Sequence, residues 1–246
     1  MSAVRAVVAQ ARTEVVLAVR QGEQLLVALG IPLLVLVFFS VVDVLPLGSG
    51  RPVDVLTPSV AALAVLSASM VGVGISTGFE RHYGVLKRLG VSPLTRPRLL
   101  GAKALATVAT EAVQLAVLLV VALVLGWDAS FSFVPFVGAI VLGTVAFGGL
   151  GMLLAGVLSG PANLAVNNAV YLLLLLFGGV AVPAAELPGP VGAVADLLPS
   201  GALIAAMGDA LGSADTAGAG TWLVLAAWAV VTPVAAAATF SWAPRD

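Results

Sequence analysis

Long apolar runs, broken by short polar stretches, dominate this chain. They cover Leu25 to about Leu45, Ser59–Phe79, Ala104–Leu125, Val134–Val157, about Asn163 to Val182, and Thr221–Phe240. Each has close to the 20 or so apolar residues that a helix needs to cross a bilayer core about 30 Å thick. The polar stretches read as ends and turns. Pro32 predicts a kink in the first run, and Asp43 and Pro46 close it. Gly48–Thr57 reads as a loop, Trp127 and Asp128 close the third run, and Ser159–Ala162 is a short loop holding Gly160 and Pro161.

Two stretches follow another rhythm. In Met1–Glu23, the residues Val4, Val7, Val8, Ala11, Val15 and Ala18 fall on one helical face, with Arg5, Gln10 and Arg12 off it. This predicts an amphipathic helix lying in the inner membrane interface. Arg5, Arg12 and Arg20 are spread along it, and the apolar run that follows is longer than a secretory signal's, so a signal peptide is not expected. Pro183–Gly220 holds two apolar pieces too short to cross, Val191–Leu198 and Gly201–Leu211, separated by Pro199. It predicts a hairpin of two short helices dipping into the outer leaflet. The expected fold is therefore an all-α integral membrane protein forming a single transmembrane domain over residues 1–246. It has six transmembrane helices, an N-terminal interfacial helix (1–23), a loop (80–103) and an outer-side re-entrant helical hairpin (183–220) between spans five and six.

Charge orients this arrangement. The chain is 61% hydrophobic and 9% charged, against about 25% charged in soluble domains. Six of its eleven Lys and Arg residues lie in Glu80–Lys103, three in the N-terminal segment and one in the tail. Ten of eleven thus fall on one side of the predicted topology, leaving Arg51 alone on the other, while Glu186, Asp196, Asp209 and Asp215 make the long hairpin acidic. By the positive-inside rule, both termini and the 80–103 loop are cytoplasmic.

Composition also removes function classes. There is no cysteine, hence no disulfide framework, haem attachment or iron–sulfur cluster by that route. One histidine, His82, and no clustered carboxylates give no basis for a metal centre or a Ser/His/Asp set. No GxxxxGK[ST] run cradles a phosphate. An enzyme is not expected, nor a nucleic-acid partner.

Within the runs, small residues recur four apart: Gly74 and Gly78, Ala139 and Gly143, Gly151 and Ala155. This spacing suits close helix approach. Glu111 is the one acid well inside a span, about 12 Å beyond Lys103 along a helix. Ionisable groups at that depth are functional candidates by default, so Glu111 is a candidate for a translocation path, for a pair with an inner-side Arg, or for snorkelling to the interface. Asn163, Asn167 and Asn168 are candidates for interhelical hydrogen bonds. Asn167 and Asn168 are also candidates for a path.

The order of residues in Glu80–Lys103 carries a resemblance. Glu80-Arg81, Gly84, Leu86, Leu89 and Pro93, then Leu100-Gly101 and Lys103, are similar to the loop between spans two and three of type-2 (ABC-2 type) ABC transporter permeases. That family reads Glu-Arg-Glu-x-Gly-Thr-Leu and later Leu-x-Gly-Lys; His82 and Val85 depart from it. Gly178-Gly179, Pro183, Leu187-Pro188 and Leu198-Pro199 resemble its segment after span five, and the N-terminal helix its interfacial connecting helix. The resemblance spans nearly the whole chain and is nearest the bacterial drug-exporter-like subgroup.

The resemblance implies a permease subunit of an exporter in the bacterial plasma membrane. Such a subunit moves a hydrophobic or amphipathic substrate outward and is not an enzyme by itself. Two ABC ATPase subunits, binding ATP and Mg, would dock below a pair made with a second permease copy or a homologous permease, with membrane lipid around it. Glu80, Arg81, Gly84, Val85, Leu86, Lys87, Arg88, Leu89 and Gly90 become the ATPase-coupling residues, with Val85–Gly90 as the core of a coupling helix. Val85, Leu86 and Leu89 make an apolar ridge ringed by Arg81, Lys87 and Arg88. An ion-driven secondary transporter and a membrane assembly or scaffold protein remain the alternatives.

Overall fold

A computed structural model describes residues 3–20, 22–42, 51–90, 95–128, 130–178, 192, 194–212 and 217–240. Among these residues the regular structure is entirely helical. Helix α1 covers Ala3–Arg20 and α2 covers Gly22–Val41. A long helix then runs as α3 (Pro52–Leu66), a π-helical segment (Ser67–Gly72) and α4 (Val73–His82). The short α5 (Val85–Gly90) leads to α6 (Arg96–Val124), α7 (Phe133–Val157), α8 (Gly160–Phe177), α9 (Pro199–Leu211) and α10 (Ala219–Thr239).

Among the described residues, five helices are long and apolar enough to cross a membrane: Pro52–His82, Arg96–Val124, Phe133–Val157, Gly160–Phe177 and Ala219–Thr239. In α2 the described apolar part is Leu29–Val41. Asp43, Pro46 and the end of the first run lie outside the described residues, as do residues 179–182 of the fifth and the tail with Trp242.

Several runs begin earlier than their apolar content suggests, the fifth among them: α8 takes up Gly160–Ala162 of the predicted loop, with Pro161 in its first turn. The second starts at Pro52 rather than Ser59. Pro52 occupies the first helical turn, where a missing N–H is no loss. The helix passes through Pro58 with the Thr57 hydroxyl bonded to the Val53 carbonyl at 2.7 Å. The third starts at Arg96, again with a proline in its first turn, so Lys103 is a helical residue and not part of a loop.

Helix α7 is the hub, touching α3, the π segment, α4, α6, α8, α9 and α10. Its small residues make this feasible. A Cβ on Gly74 would stand 3.0 Å from the Gly151 Cα, so α4 and α7 cross backbone to backbone. Leu203 of α9 fills the notch at Gly143, where a Cβ would lie 2.9 Å from its Cδ1. The main core gathers Leu36, Val65, Leu118, Phe147, Leu203 and Leu225. A second cluster, at the end carrying α5, holds Leu86, Leu99, Met152, Ala236 and Phe240.

Helix α1 lies on α6, with Ala11 buried between Ala102 and Ala106 and Val7 and Val15 beside it. Val8, from the predicted stripe, is 51% exposed and faces away. Val4 and Ala18 fall outside the described side chains.

In the hairpin, Pro199 opens α9 instead of separating two pieces, because proline suits a first helical turn. Most of the Val191–Leu198 piece leads into it through turns at Asp196–Leu197, and residues 191 and 193 lie outside the described set. Leu203, Ala206, Met207 and Ala210 are buried between α3 and α7. The Ala210 carbonyl accepts from the Ser132 N–H at 2.8 Å, at the start of α7. At its other end, the Leu197 carbonyl accepts from Trp228 Nε1 at 2.9 Å, two and a half turns into α10.

Candidate functional site: the α4–α5–α6 hairpin and its anchors

The tight turn into α5 is set by one glycine. The Gly84 N–H bonds to the Arg81 carbonyl at 3.0 Å, and Gly84 takes φ +73°, a left-handed conformation that a Cβ disfavours. The chain reverses there and α5 starts.

Helix α5 does not present the expected ridge. Leu86 is fully buried and packs into the cluster with Leu99, Met152 and Phe240; Leu89 is half-buried against the same cluster. The reason is burial: Leu86 and Leu89 lie three apart, on one helical face, and that face seats on the floor of the helical bundle itself. What α5 leaves exposed is Val85, Lys87, Arg88 and Gly90, next to Tyr83. Tyr83 is 70% exposed and stacks on Phe79. His82 is exposed on the same turn and covers Gly160, whose Cβ position lies 3.1 Å from the His82 Cβ.

Arg81 is likewise not part of a charged surround. It is 1% exposed, and its guanidinium donates to the carbonyl oxygens of Gly156 and Leu158. These carbonyls close α7, where the last turn lacks intrahelical donors and the helix dipole favours a cation. The sequence places Arg81 beside the membrane by charge; it cannot show that a helix end waits there.

Glu80 and Lys103, at the two ends of the basic stretch, meet. The Lys103 ammonium donates to Glu80 Oε1 at 2.9 Å and lies 3.2 Å from Glu14 Oε1 of α1. Lys103 is 4% exposed and so not a loop cation in water. The Glu14 oxygen also accepts from Gln10 Nε2 at 2.9 Å, and Glu80 Oε2 is buried with no hydrogen-bond partner. Thus α5 hangs from a hairpin whose base is tied to α1 by charge and to α7 by Arg81. Glu14 was invisible as a site residue, because nothing in sequence spacing brings residue 14 to residue 103.

The polar groups inside the spans separate. Glu111 is 1% exposed and meets the Thr144 hydroxyl of α7; its Oε1 has no hydrogen-bond partner, and no ion pair to it occurs among the described residues. Asn163 and Asn167 are fully buried. Each sits over a glycine of α4, Asn163 on Gly78 and Asn167 on Gly74. Asn163 Nδ2 donates to the Gly74 carbonyl at 2.8 Å and Asn167 Nδ2 to Asn163 Oδ1 at 2.9 Å. Of the predicted interhelical hydrogen bonds, the one formed is from Asn163 to α4; the Asn167 bond stays within α8, and Asn167 meets α4 by packing over Gly74. Asn168 points the other way, exposed, with its amide on the Leu164 carbonyl.

These parts, a glycine-seamed helical bundle with a basic hairpin at one end, match a known design. A family model described as ABC-2 type transporter matches residues 5–210. The chain belongs to that family. It is a multi-pass membrane protein and the permease subunit of an ABC transporter, a family whose members normally work with an ABC ATPase. Comparison with curated proteins finds no match.

Proposed function

We propose that this permease is an exporter of the drug-exporter-like kind, driven by two ABC ATPase subunits that dock on α5, and paired with a second permease copy or a homologous one. The observation that carries the reading is the outward face of α5. Val85, Lys87 and Arg88 are exposed while Leu86 anchors the helix from behind. A six-residue helix is not stable alone in water; here it is braced on one side and offers the other. The substrate is hydrophobic or amphipathic and moves outward; ATP and Mg belong to the ATPase.

In this reading the chain has six spans in the bacterial plasma membrane, with α2 as the first, and α1 and the tail on the cytoplasmic side. The hairpin ending in α9 is re-entrant. Its support is depth: Trp228, which holds the Leu197 carbonyl, lies about 13 Å along α10 from its start. Backbone at such depth is tolerable when packed in protein, and α9 is packed. Of the three polar groups assigned to the path, Asn168 is the one on the surface; Glu111 and Asn167 would line it from behind the first layer of side chains.

The test is ATP hydrolysis by the reconstituted complex. Val85→Asp, on the exposed face, is expected to lower permease-dependent stimulation by at least about fivefold, the range of ordinary coupling energies. The melting temperature of the permease should not change. Stimulation equal to the unmodified protein's would overturn the reading.

A further inference from the structure

The seat of α1 on α6 is apolar at Val7, Ala11 and Val15, against Ala102 and Ala106. One position breaks the pattern. Lys103 carries a single ammonium, 4% exposed, between the carboxylates of Glu14 and Glu80, which come from α1 and α4. An apolar contact there would hold the helices at least as well, because desolvating charges offsets most of their attraction. Buried charge is best attested as a device for register or switching.

The two carboxylates are not held alike. Glu80 makes the 2.9 Å hydrogen bond to Lys103. Glu14 lies at 3.2 Å and keeps a second donor, Gln10, on its own helix. If the hairpin shifts, Glu14 can leave with Gln10 still attached, while Glu80 keeps the ammonium. Without the ammonium, the two carboxylates face each other across the α1 seat with no counter-charge between them.

We infer that Lys103 is a positioning residue that latches α1 to the base of the coupling hairpin through Glu14. The permease engages its ATPase productively only while that latch is shut. The inference rests on the coupling reading of α5, and the experiment separates the two.

The complex of permease and ATPase is studied in lipid nanodiscs. The chain has no cysteine, so Thr13→Cys and Thr95→Cys, both exposed, give one spin-label pair between α1 and the start of α6. With Lys103 intact, the distance distribution is expected to be narrow. Lys103→Met should broaden and lengthen it and lower stimulated hydrolysis at least about fivefold. Lys103→Arg should restore both readouts. Glu14→Lys combined with Lys103→Glu, which keeps one ammonium among two carboxylates with the charges exchanged, should restore the narrow distance and the hydrolysis too; a lysine that only fills space would not be rescued by the exchange. Should Lys103→Met not fold, Glu14→Lys, which places two ammonium groups together, is expected to open the same distance.

An unchanged distance in the single variants overturns the latch, as does failure of the charge-exchange rescue. If the distance opens and closes as described while Val85→Asp leaves hydrolysis untouched, the latch stands and the coupling role of α5 falls.

Discussion

Arg81 shows how much a single side chain holds in place. Its guanidinium spans two carbonyl oxygens at the end of α7 from a site closed to water. Arg81→Met should strand both, at about 1–3 kcal/mol for the buried Gly156 acceptor and less for the half-buried Leu158, and lower the melting temperature of the detergent-solubilised protein clearly. Arg81→Lys should recover only part, since one ammonium lacks the planar fork that reaches two oxygens. Glycines divide by the same kind of argument. Gly151→Ala would drive a methyl into the Met70 carbonyl and the Gly74 backbone, destabilising by about 1–3 kcal/mol as overpacking does. Gly101 has open space where a Cβ would go, so Gly101→Ala should leave the melting temperature unchanged or raise it, by up to about 1 kcal/mol of helix propensity. A melt of the two variants side by side checks both. The sequence announces all these glycines equally; only the crossing of α4 on α7 says which are filled space.

The helices were legible in proportion to their length. Apolar runs located α6, α7 and α10 within a few residues at their inner or outer ends, because a bilayer imposes one length on every span. Their starts were less legible. Pro52 and Pro97 sit in first turns ahead of the apolar runs, so α3 and α6 extend past the predicted boundaries. Helix α5 was placed correctly, over Val85–Gly90, but its buried face was not: six residues carry too little periodicity to say whether Leu86 serves a partner or the floor beneath it. The turn before α5 gives a further check. Gly84 holds φ +73°, and a β-branched residue there costs about 1–2 kcal/mol in the left-handed region. Gly84→Val should therefore leave the bundle folded and reduce stimulated ATP hydrolysis, read in the same reconstituted assay as Val85→Asp.

For the chain as a whole, charge asymmetry makes a prediction that packing does not. Lys87 and Arg88 lie at one end of the bundle; Arg51, Asp54 and Asp128 meet at the other, with Arg51 3.0 Å from Asp54 and 3.7 Å from Asp128. The positive-inside rule puts the first end in the cytoplasm. In this cysteine-free chain, Asp128→Cys should react with a membrane-impermeant maleimide on intact cells, and Arg88→Cys only after permeabilisation; the reverse pattern would invert the topology. The candidate site was legible as a stretch, since its basic residues cluster, but not as a constellation. Glu14, Glu80 and Lys103 come together across most of a hundred residues, and the two carbonyls that receive Arg81 have no side-chain signature at all.

The brevity of α9 has one more consequence. At thirteen residues it is about 20 Å long, too short to be released into lipid by the translocon as a segment in its own right. Its berth has walls made earlier, by α3 and α7, and a wall made later, by α10. Biogenesis must therefore hold this piece unsettled until the final helix arrives, and a ribosome stalled before residue 219 would leave a chain whose hairpin has nowhere to rest.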